Sequence, residues 1–126
     1  MVASPNYILG VDDSDNSAGQ NTIGAGPPGS GAVESVLQSY FTSKKLPTVP
    51  TAFDGRSDYA SFIENDIPAS GLFTGAEGIM TAEQAKLFHG KAGQPYDPNY
   101  HQKGDTKDNI NYTAFLHNAK VSDSNP

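Results

Sequence analysis

The histidines are the first residues in this sequence whose chemistry could matter, and one of them lies in a suitable loop. His101 follows Tyr100 within residues 94–105, a stretch punctuated by Gly and Pro. A rigid loop of this kind can present a metal ligand, but a zinc site needs at least three protein ligands, so His101 alone does not establish one. His89 is predicted to be structural, because it lies in the last turn of a helix, where a partial positive charge is favourable near the negative end of the helix dipole. His117 is predicted to lie on the polar side of the last helix.

Two other motifs resemble ligand sites, and the residue types argue against both. Residues 24–29 match G-x-G-x-x-G, but two prolines occupy the turn that should present N–H groups to a pyrophosphate. Asp13, Asp15 and Ser17 resemble the start of an EF-hand loop, but the sixth position is Ala18 and no Glu follows at the twelfth. Both segments are therefore interpreted as loops, the second as a solvated acidic one.

The composition excludes several classes of function. The chain has 126 residues, a net charge of −6 and no Cys. An acidic balance argues against a nucleic-acid groove or an anionic membrane surface as a partner. No apolar run approaches the roughly 18 residues of a membrane span, and the first residues lack the features of a signal peptide. Without Cys the chain has neither disulfides nor thiolate metal ligands.

Apolar spacing predicts strands that alternate with helices. Strand-like runs cover residues 7–11, 48–53 and 67–74, and helical patterns cover residues 30–45, 57–64, 81–89 and 112–120. This order is typical of a layered α/β domain. The first helix is expected to bury the stripe Val33, Val36, Leu37, Tyr40 and Phe41, the second Tyr59, Phe62 and Ile63, and the last Tyr112, Phe115, Leu116 and Ala119.

Local signals predict where these helices begin and end. Thr81 and Gln84 fit a capping box, and Gly90 fits the residue that follows the helix. Ser30 is expected to cap the first helix, with Glu34 near the positive end of its dipole.

Two segments carry long and specific motifs. The first reads FDGRSDYASF over residues 53–62 and IPASGLFTGAEG over 67–78. The second reads KAGQPYD over 91–97 and YHQ over 100–102. They resemble, respectively, the substrate-pocket half and the last metal-ligand loop of the M28 zinc aminopeptidases, above all the secreted leucine aminopeptidases of fungi and actinobacteria. The opening residues also fit that family.

The resemblance implies a three-layer α/β/α zinc-exopeptidase domain with two zinc ions, of which this chain is the incomplete C-terminal half. By position, His101 matches the last histidine ligand, and Tyr100 matches the residue that stabilises the oxyanion. Arg56 and Phe73 match residues that line the pocket for the substrate's N-terminal residue. Many relatives have a Cys pair around this Tyr-His, where the present sequence has Asn99 and Gly104.

The resemblance also implies that most of the metal site lies outside this chain. In the family an Asp ligand comes immediately before the position of Met1, and the other ligands and the general base lie further upstream. We therefore expect residues 1–121 to be the C-terminal portion of an M28 peptidase domain, followed by a non-family tail at 122–126. At most weak zinc binding is expected here.

Two functions from different classes remain open. The first is a fragment of a zinc-dependent aminopeptidase that removes apolar, leucine-type N-terminal residues from peptides and is inactive alone, so that its status as an enzyme is left open. The alternative is a truncated pseudo-enzyme that binds peptides or a partner. The expected partners are peptide substrates and the missing N-terminal half, with no nucleic acid or membrane. The intact family member is expected to be extracellular, and Asn111 lies in a glycosylation sequon.

Overall fold

The computed structural model describes residues 1–123, and it has the alternating order that the sequence predicts. The elements are β1 (Gly10–Asp12), α1 (Ser30–Ser43), β2 (Val49–Thr51), α2 (Ala60–Ile63), β3 (Leu72–Phe73), α3 (Ala82–Phe88), a 3-10 helix (Lys107–Asn109) and α4 (Tyr112–Asp123). The α/β class is therefore confirmed. The strands are shorter than predicted, because only a few residues of each apolar run join a ladder.

The chain divides into two compact units, one formed by residues 10–72 and the other by residues 1–9 with the chain from Phe73 onward. In the first unit β1 pairs in parallel with β2, and Gly10 lies opposite Val49. The sheet has the order β2-β1-β3. The Asp12 amide donates to the carbonyl of Gly71 at 2.9 Å, which extends the pairing on the side of β1 away from β2.

Helix α1 begins differently from the prediction. Its N-cap is Gly29, in a left-handed conformation with φ of 105°, and no side chain caps the helix. The Ser30 hydroxyl instead accepts a hydrogen bond from the Ala69 amide at 3.2 Å, so the capping role predicted for Ser30 is wrong. The burial predicted for the stripe is also wrong in part, since Phe41 is buried while Val33 and Val36 are exposed.

In the other unit, Ser4 joins the opening segment to the residues after β3. Its amide donates to the Thr74 hydroxyl at 3.1 Å, and its hydroxyl donates to the Gly75 carbonyl at 2.6 Å. The Ile8 amide adds a bond to the Thr74 carbonyl at 3.1 Å. Since Ser4 and Thr74 are both buried, these bonds satisfy polar groups that would otherwise be costly to bury.

The capping box of α3 is confirmed. The Gln84 amide donates to the Thr81 hydroxyl at 3.1 Å, and the Thr81 amide donates to the Gln84 side chain at 3.0 Å. At the other end, His89 rather than Gly90 has the left-handed conformation, with φ of 56°. His89 is the C-cap that follows α3 rather than a residue of its last turn, and the structural role predicted for it stays a prediction.

Helix α4 has the predicted start but buries a different face. Its buried residues are Ala114, Asn118 and Val121. Tyr112 is 67% exposed and Phe115 is 50% exposed, so the prediction that this stripe is buried is wrong. Residues 124–126 of the predicted tail lie outside the described residues, and the boundary at residue 121 stays a prediction.

Candidate functional site

The Tyr100–His101 pair lies on an irregular loop between α3 and the 3-10 helix. The two rings are stacked, with centroids 3.9 Å apart and planes 19° from parallel. His101 is exposed, and its backbone has a left-handed φ of 53°. The loop therefore presents an imidazole to solvent with a phenol directly against it.

Hydrogen bonds from Asp97, Asn99 and Asn109 fix the base of this loop. Asp97 is 3% exposed, and its Oδ1 accepts from the Asn99 amide at 2.8 Å and from Asn109 Nδ2 at 2.9 Å. Asn99 Nδ2 donates to Asn109 Oδ1 at 2.6 Å. Three side chains thus tie the two ends of the loop together.

Arg56 lies in a turn that two aromatic residues support. Phe53 and Tyr59 stack with centroids 4.3 Å apart, and both are buried. The Tyr59 hydroxyl accepts from the amides of Asp54 and Gly55, each at 3.1 Å. Arg56 follows on the exposed side of the turn, in the unit formed by residues 10–72.

Phe73, the other predicted pocket residue, is the second residue of β3 and is partly exposed. It belongs to the unit that contains Tyr100 and His101, whereas Arg56 belongs to the other one. Of the four predicted site residues, the structure brings Tyr100 and His101 into direct contact. The pocket roles of Arg56 and Phe73 stay predictions.

The donor set around His101 does not make a complete metal site within the described residues. The one group of three close His, Cys, Asp or Glu side chains in residues 1–123 is Asp13, Asp15 and Glu34, with ligand atoms within 4.8 Å of one another. A catalytic zinc site uses three protein ligands and a water. His101 by itself therefore does not complete a zinc site within the described residues.

The acidic group is explained by hydrogen bonds that the sequence did not reveal. Asp13 is buried rather than solvated, and its carboxylate accepts from the Ala18 amide at 3.1 Å. Glu34 is also buried, and its Oε2 accepts from the Ser14 amide at 2.7 Å and the Ser14 hydroxyl at 3.0 Å. The dipole role predicted for Glu34 is wrong, since the first turn of α1 has no acidic residue. Glu34 instead holds the loop after β1.

Removing the Glu34 carboxylate should destabilise the chain strongly. Glu34→Ala leaves the buried Ser14 amide without its acceptor, while the Ser14 hydroxyl can still donate to the Ser30 carbonyl at 3.1 Å. We expect the unsatisfied amide to lower the free energy of unfolding by about 2 kcal/mol. The measurement is urea denaturation followed by circular dichroism. Glu64→Ala is the matched control, because Glu64 is exposed and should change stability by less than about 0.5 kcal/mol. Equal midpoints for the two variants would contradict this role of Glu34.

Asp12, at the end of β1, is a buried carboxylate with an unusual proton affinity. It is 6% exposed, and the Thr51 hydroxyl donates to its Oδ1 at 2.8 Å. Burial raises the pKa of Asp12 from 3.8 to about 6, and the Thr51 hydrogen bond only partly opposes this. Its other oxygen occupies the space that a β-carbon at Gly71 would take, so position 71 has no room for a side chain.

The raised pKa of Asp12 should make it a destabilising group at neutral pH. The folded chain binds this proton more tightly than the unfolded chain, so the stabilising contribution is complete below pH 4 and is lost as pH rises through about 6. When this contribution is lost completely, the free energy of unfolding falls by about 3 kcal/mol. Asp12→Asn keeps an acceptor for Thr51, and its stability gain over the natural chain should grow from pH 4 to pH 7 in denaturation experiments. Asp66→Asn, at an exposed position, should show no such growth, and a gain for Asp12→Asn that is independent of pH would contradict us.

Comparison with known proteins decides the family. The sequence matches peptidase family M28 over residues 7–124. The chain belongs to this family. It is 54% identical over 122 residues to the probable leucine aminopeptidase 2 of Aspergillus fumigatus and 52% identical over 122 residues to that of Aspergillus oryzae, in each case over 97% of this chain. It is 52% identical over 120 residues, or 95% of this chain, to leucine aminopeptidase 2 of Arthroderma otae.

The M28 chain spans about a quarter of the length of these relatives, since each match covers 24% of the relative. It corresponds to one part of each of these relatives. Within residues 1–123, none of the helices of this M28 chain has the length and apolar character needed to cross a bilayer.

Proposed function

We propose that this chain is the part of an aminopeptidase catalytic domain that supplies the Tyr100–His101 loop, and that it acts only together with the rest of such a domain. The observation that carries the proposal is the stacked, solvent-facing Tyr100–His101 pair in a chain of family M28. The relatives are named leucine aminopeptidases, and these names support the proposal that the reaction removes apolar, leucine-type residues from the N-termini of peptides.

In this proposal each predicted site residue has a distinct role. His101 is one metal ligand, and the remaining ligands of a zinc pair come from the rest of the domain. The Tyr100 phenol donates to the oxyanion that forms at the scissile carbonyl, and one such donor is worth about 10²–10³ in kcat. Arg56 and Phe73 line the pocket for the N-terminal residue. This division of roles leaves the chain without turnover of its own.

Exposed apolar side chains support the need for a partner polypeptide. Val33 and Val36 are exposed on α1, and Tyr112, Phe115 and Leu116 are exposed on α4. Apolar faces of helices are ordinarily covered by another layer of the same domain. We propose that the rest of an M28 domain covers them in a three-layer α/β/α arrangement.

The same exposed faces favour a second candidate function, a pseudo-enzyme that binds peptides or a partner. The two proposals differ in whether Tyr100 and His101 take part in turnover. An extracellular location is proposed for the whole enzyme together with its function.

A graft tests the proposal. The matched segment of Arthroderma otae leucine aminopeptidase 2 is replaced by this chain, and hydrolysis of a leucyl chromogenic substrate is measured. Because identity over the segment is 52%, we expect the graft to fold and to hydrolyse the substrate in a chelator-sensitive reaction. A graft that is folded and inactive would overturn the catalytic proposal and leave the binding function.

A further inference from the structure

Asn109 makes more side-chain hydrogen bonds than its exposed surroundings would suggest. It ends the 3-10 helix and is partly buried. Its Nδ2 donates to Asp97 at 2.9 Å and to Asp105 at 3.4 Å, and its Oδ1 accepts from Asn99 at 2.6 Å. Both the donor and the acceptor of this carboxamide are used, so the side chain has one orientation.

The short helix holds Asn109 in place from the other side. The Thr106 hydroxyl accepts from the Asp108 amide at 3.3 Å, and the Thr106 carbonyl accepts from the Asn109 amide at 2.9 Å. Asp97 in turn is fixed to the body of its unit, because its amide donates to the Ala76 carbonyl at 2.8 Å. Asn109 therefore connects two anchored points, and the loop with Tyr100 and His101 lies between them.

The backbone of the loop depends on the residues that Asn109 contacts. The Tyr100 amide donates to the Asp97 carbonyl at 3.3 Å, and the Gln102 amide donates to the Asn99 carbonyl at 2.8 Å. His101 sits between these bonds with a φ of 53°, a conformation that costs a non-glycine residue free energy and persists only where the surroundings impose it.

Gly104 leaves the space that the Asn99 side chain occupies. A β-carbon at Gly104 would overlap the Asn99 carboxamide oxygen. Asn99 can thus reach Asn109 only because position 104 has no side chain. The packing of the loop is arranged around this pair of carboxamides.

We propose that Asn109 is a positioning residue for the proposed peptidase reaction, and that it sets the geometry of Tyr100 and His101 through Asp97 and Asn99. Asn109 contacts neither ring of the pair in the bonds described above, so its action is indirect. The role rests on the proposed function in one respect, namely that Tyr100 and His101 are the reacting groups.

Nuclear magnetic resonance of the full chain tests the positioning without any assay of activity. Stacking on Tyr100 shifts the His101 ring protons upfield, so their shift reports the geometry of the pair. In Asn109→Ala we expect most of this upfield shift to be lost, while the amide signals of Ala76 and Met80 stay at their folded positions. Asn65→Ala is the matched control, since the side chain of exposed Asn65 donates to the nearby Ser61 carbonyl and its loss should leave the His101 signals unchanged.

A second variant keeps the test decisive if Asn109→Ala fails to fold. Asn109→Asp keeps the acceptor for Asn99 and the volume, but at neutral pH it places a carboxylate against Asp97 where a donor stood. We expect the same loss of the upfield shift, because like charges at this distance repel. Retention of the shift in a folded Asn109→Asp or Asn109→Ala chain would overturn the proposal.

The graft separates the positioning role from the proposed function. There Asn109→Asp should lower kcat with little change in KM, since the substrate pocket is left in place while the reacting pair is displaced. If the unmodified graft is inactive but the signals of the isolated chain change as expected, the peptidase proposal fails and the control of loop geometry by Asn109 stands. If the graft is active and Asn109→Asp leaves kcat unchanged, the positioning role fails and the peptidase proposal stands.

Discussion

Purified alone and supplied with zinc, this chain is expected to hydrolyse a leucyl chromogenic substrate no faster than buffer does. His101 has too few neighbouring metal ligands, because within residues 1–123 no further His, Cys, Asp or Glu joins it in a group of three. Enzymes accelerate their reactions by about 10⁶-fold or more, and an incomplete site with one imidazole and one phenol supplies little of this.

The assay needs a positive control and a decisive variant. The graft into Arthroderma otae leucine aminopeptidase 2 is the positive control, since it contains the same residues within a full-length relative. Turnover by the isolated chain that disappears both with a chelator and in His101→Ala would show that the chain assembles a metal site by itself. The proposal that this chain acts only together with the rest of a catalytic domain would then be wrong.

In the graft, His101→Ala is expected to lower zinc content and activity together. A bound metal contributes several kcal/mol to stabilisation of the transition state, so loss of a ligand should reduce kcat/KM by roughly 10³-fold or more. Metal content is measured by atomic absorption on the dialysed protein, beside the kinetics.

Two comparison variants distinguish ligation from a general loss of structure. Tyr100→Phe removes only the phenol oxygen, and it should lower kcat by about 10²–10³ with zinc content unchanged. His117→Ala changes a histidine on α4 and should leave both quantities unchanged. Full zinc content in a folded His101→Ala graft would rule out the ligand role of His101.

The sequence predicted best where the determining contacts are local. The capping box of Thr81 and Gln84 joins residues three apart, and its two hydrogen bonds are those expected from the residue types. Apolar periodicity likewise located α1 and α4. Periodicity could not show what covers each helix face, because it shows which residues are apolar but not which parts of the chain pack against them. Hence Phe41 is buried while Val36 and Phe115 are exposed.

The site shows the same division between local and distant contacts. Tyr100 and His101 are adjacent in sequence, so their association follows from the loop motif alone. The bond from the Ser14 amide to Glu34 joins residues 20 apart, and that from Asn109 to Asp97 joins residues 12 apart. No periodicity links such pairs. Their partners become evident only when the chain has folded around them.

The carboxamides at the base of the Tyr100–His101 loop also make the loop subject to chemical ageing. Amides of Asn side chains hydrolyse slowly in water and release ammonia, and heat favours this reaction. Where water hydrolyses the Asn109 carboxamide directly, the product is the carboxylate that Asn109→Asp introduces beside Asp97. A warmed or long-stored sample should therefore accumulate molecules in which the His101 ring no longer stacks on Tyr100, although the chain has not been cleaved. The fraction of molecules with an altered Tyr100–His101 loop would then rise with the storage time of the preparation.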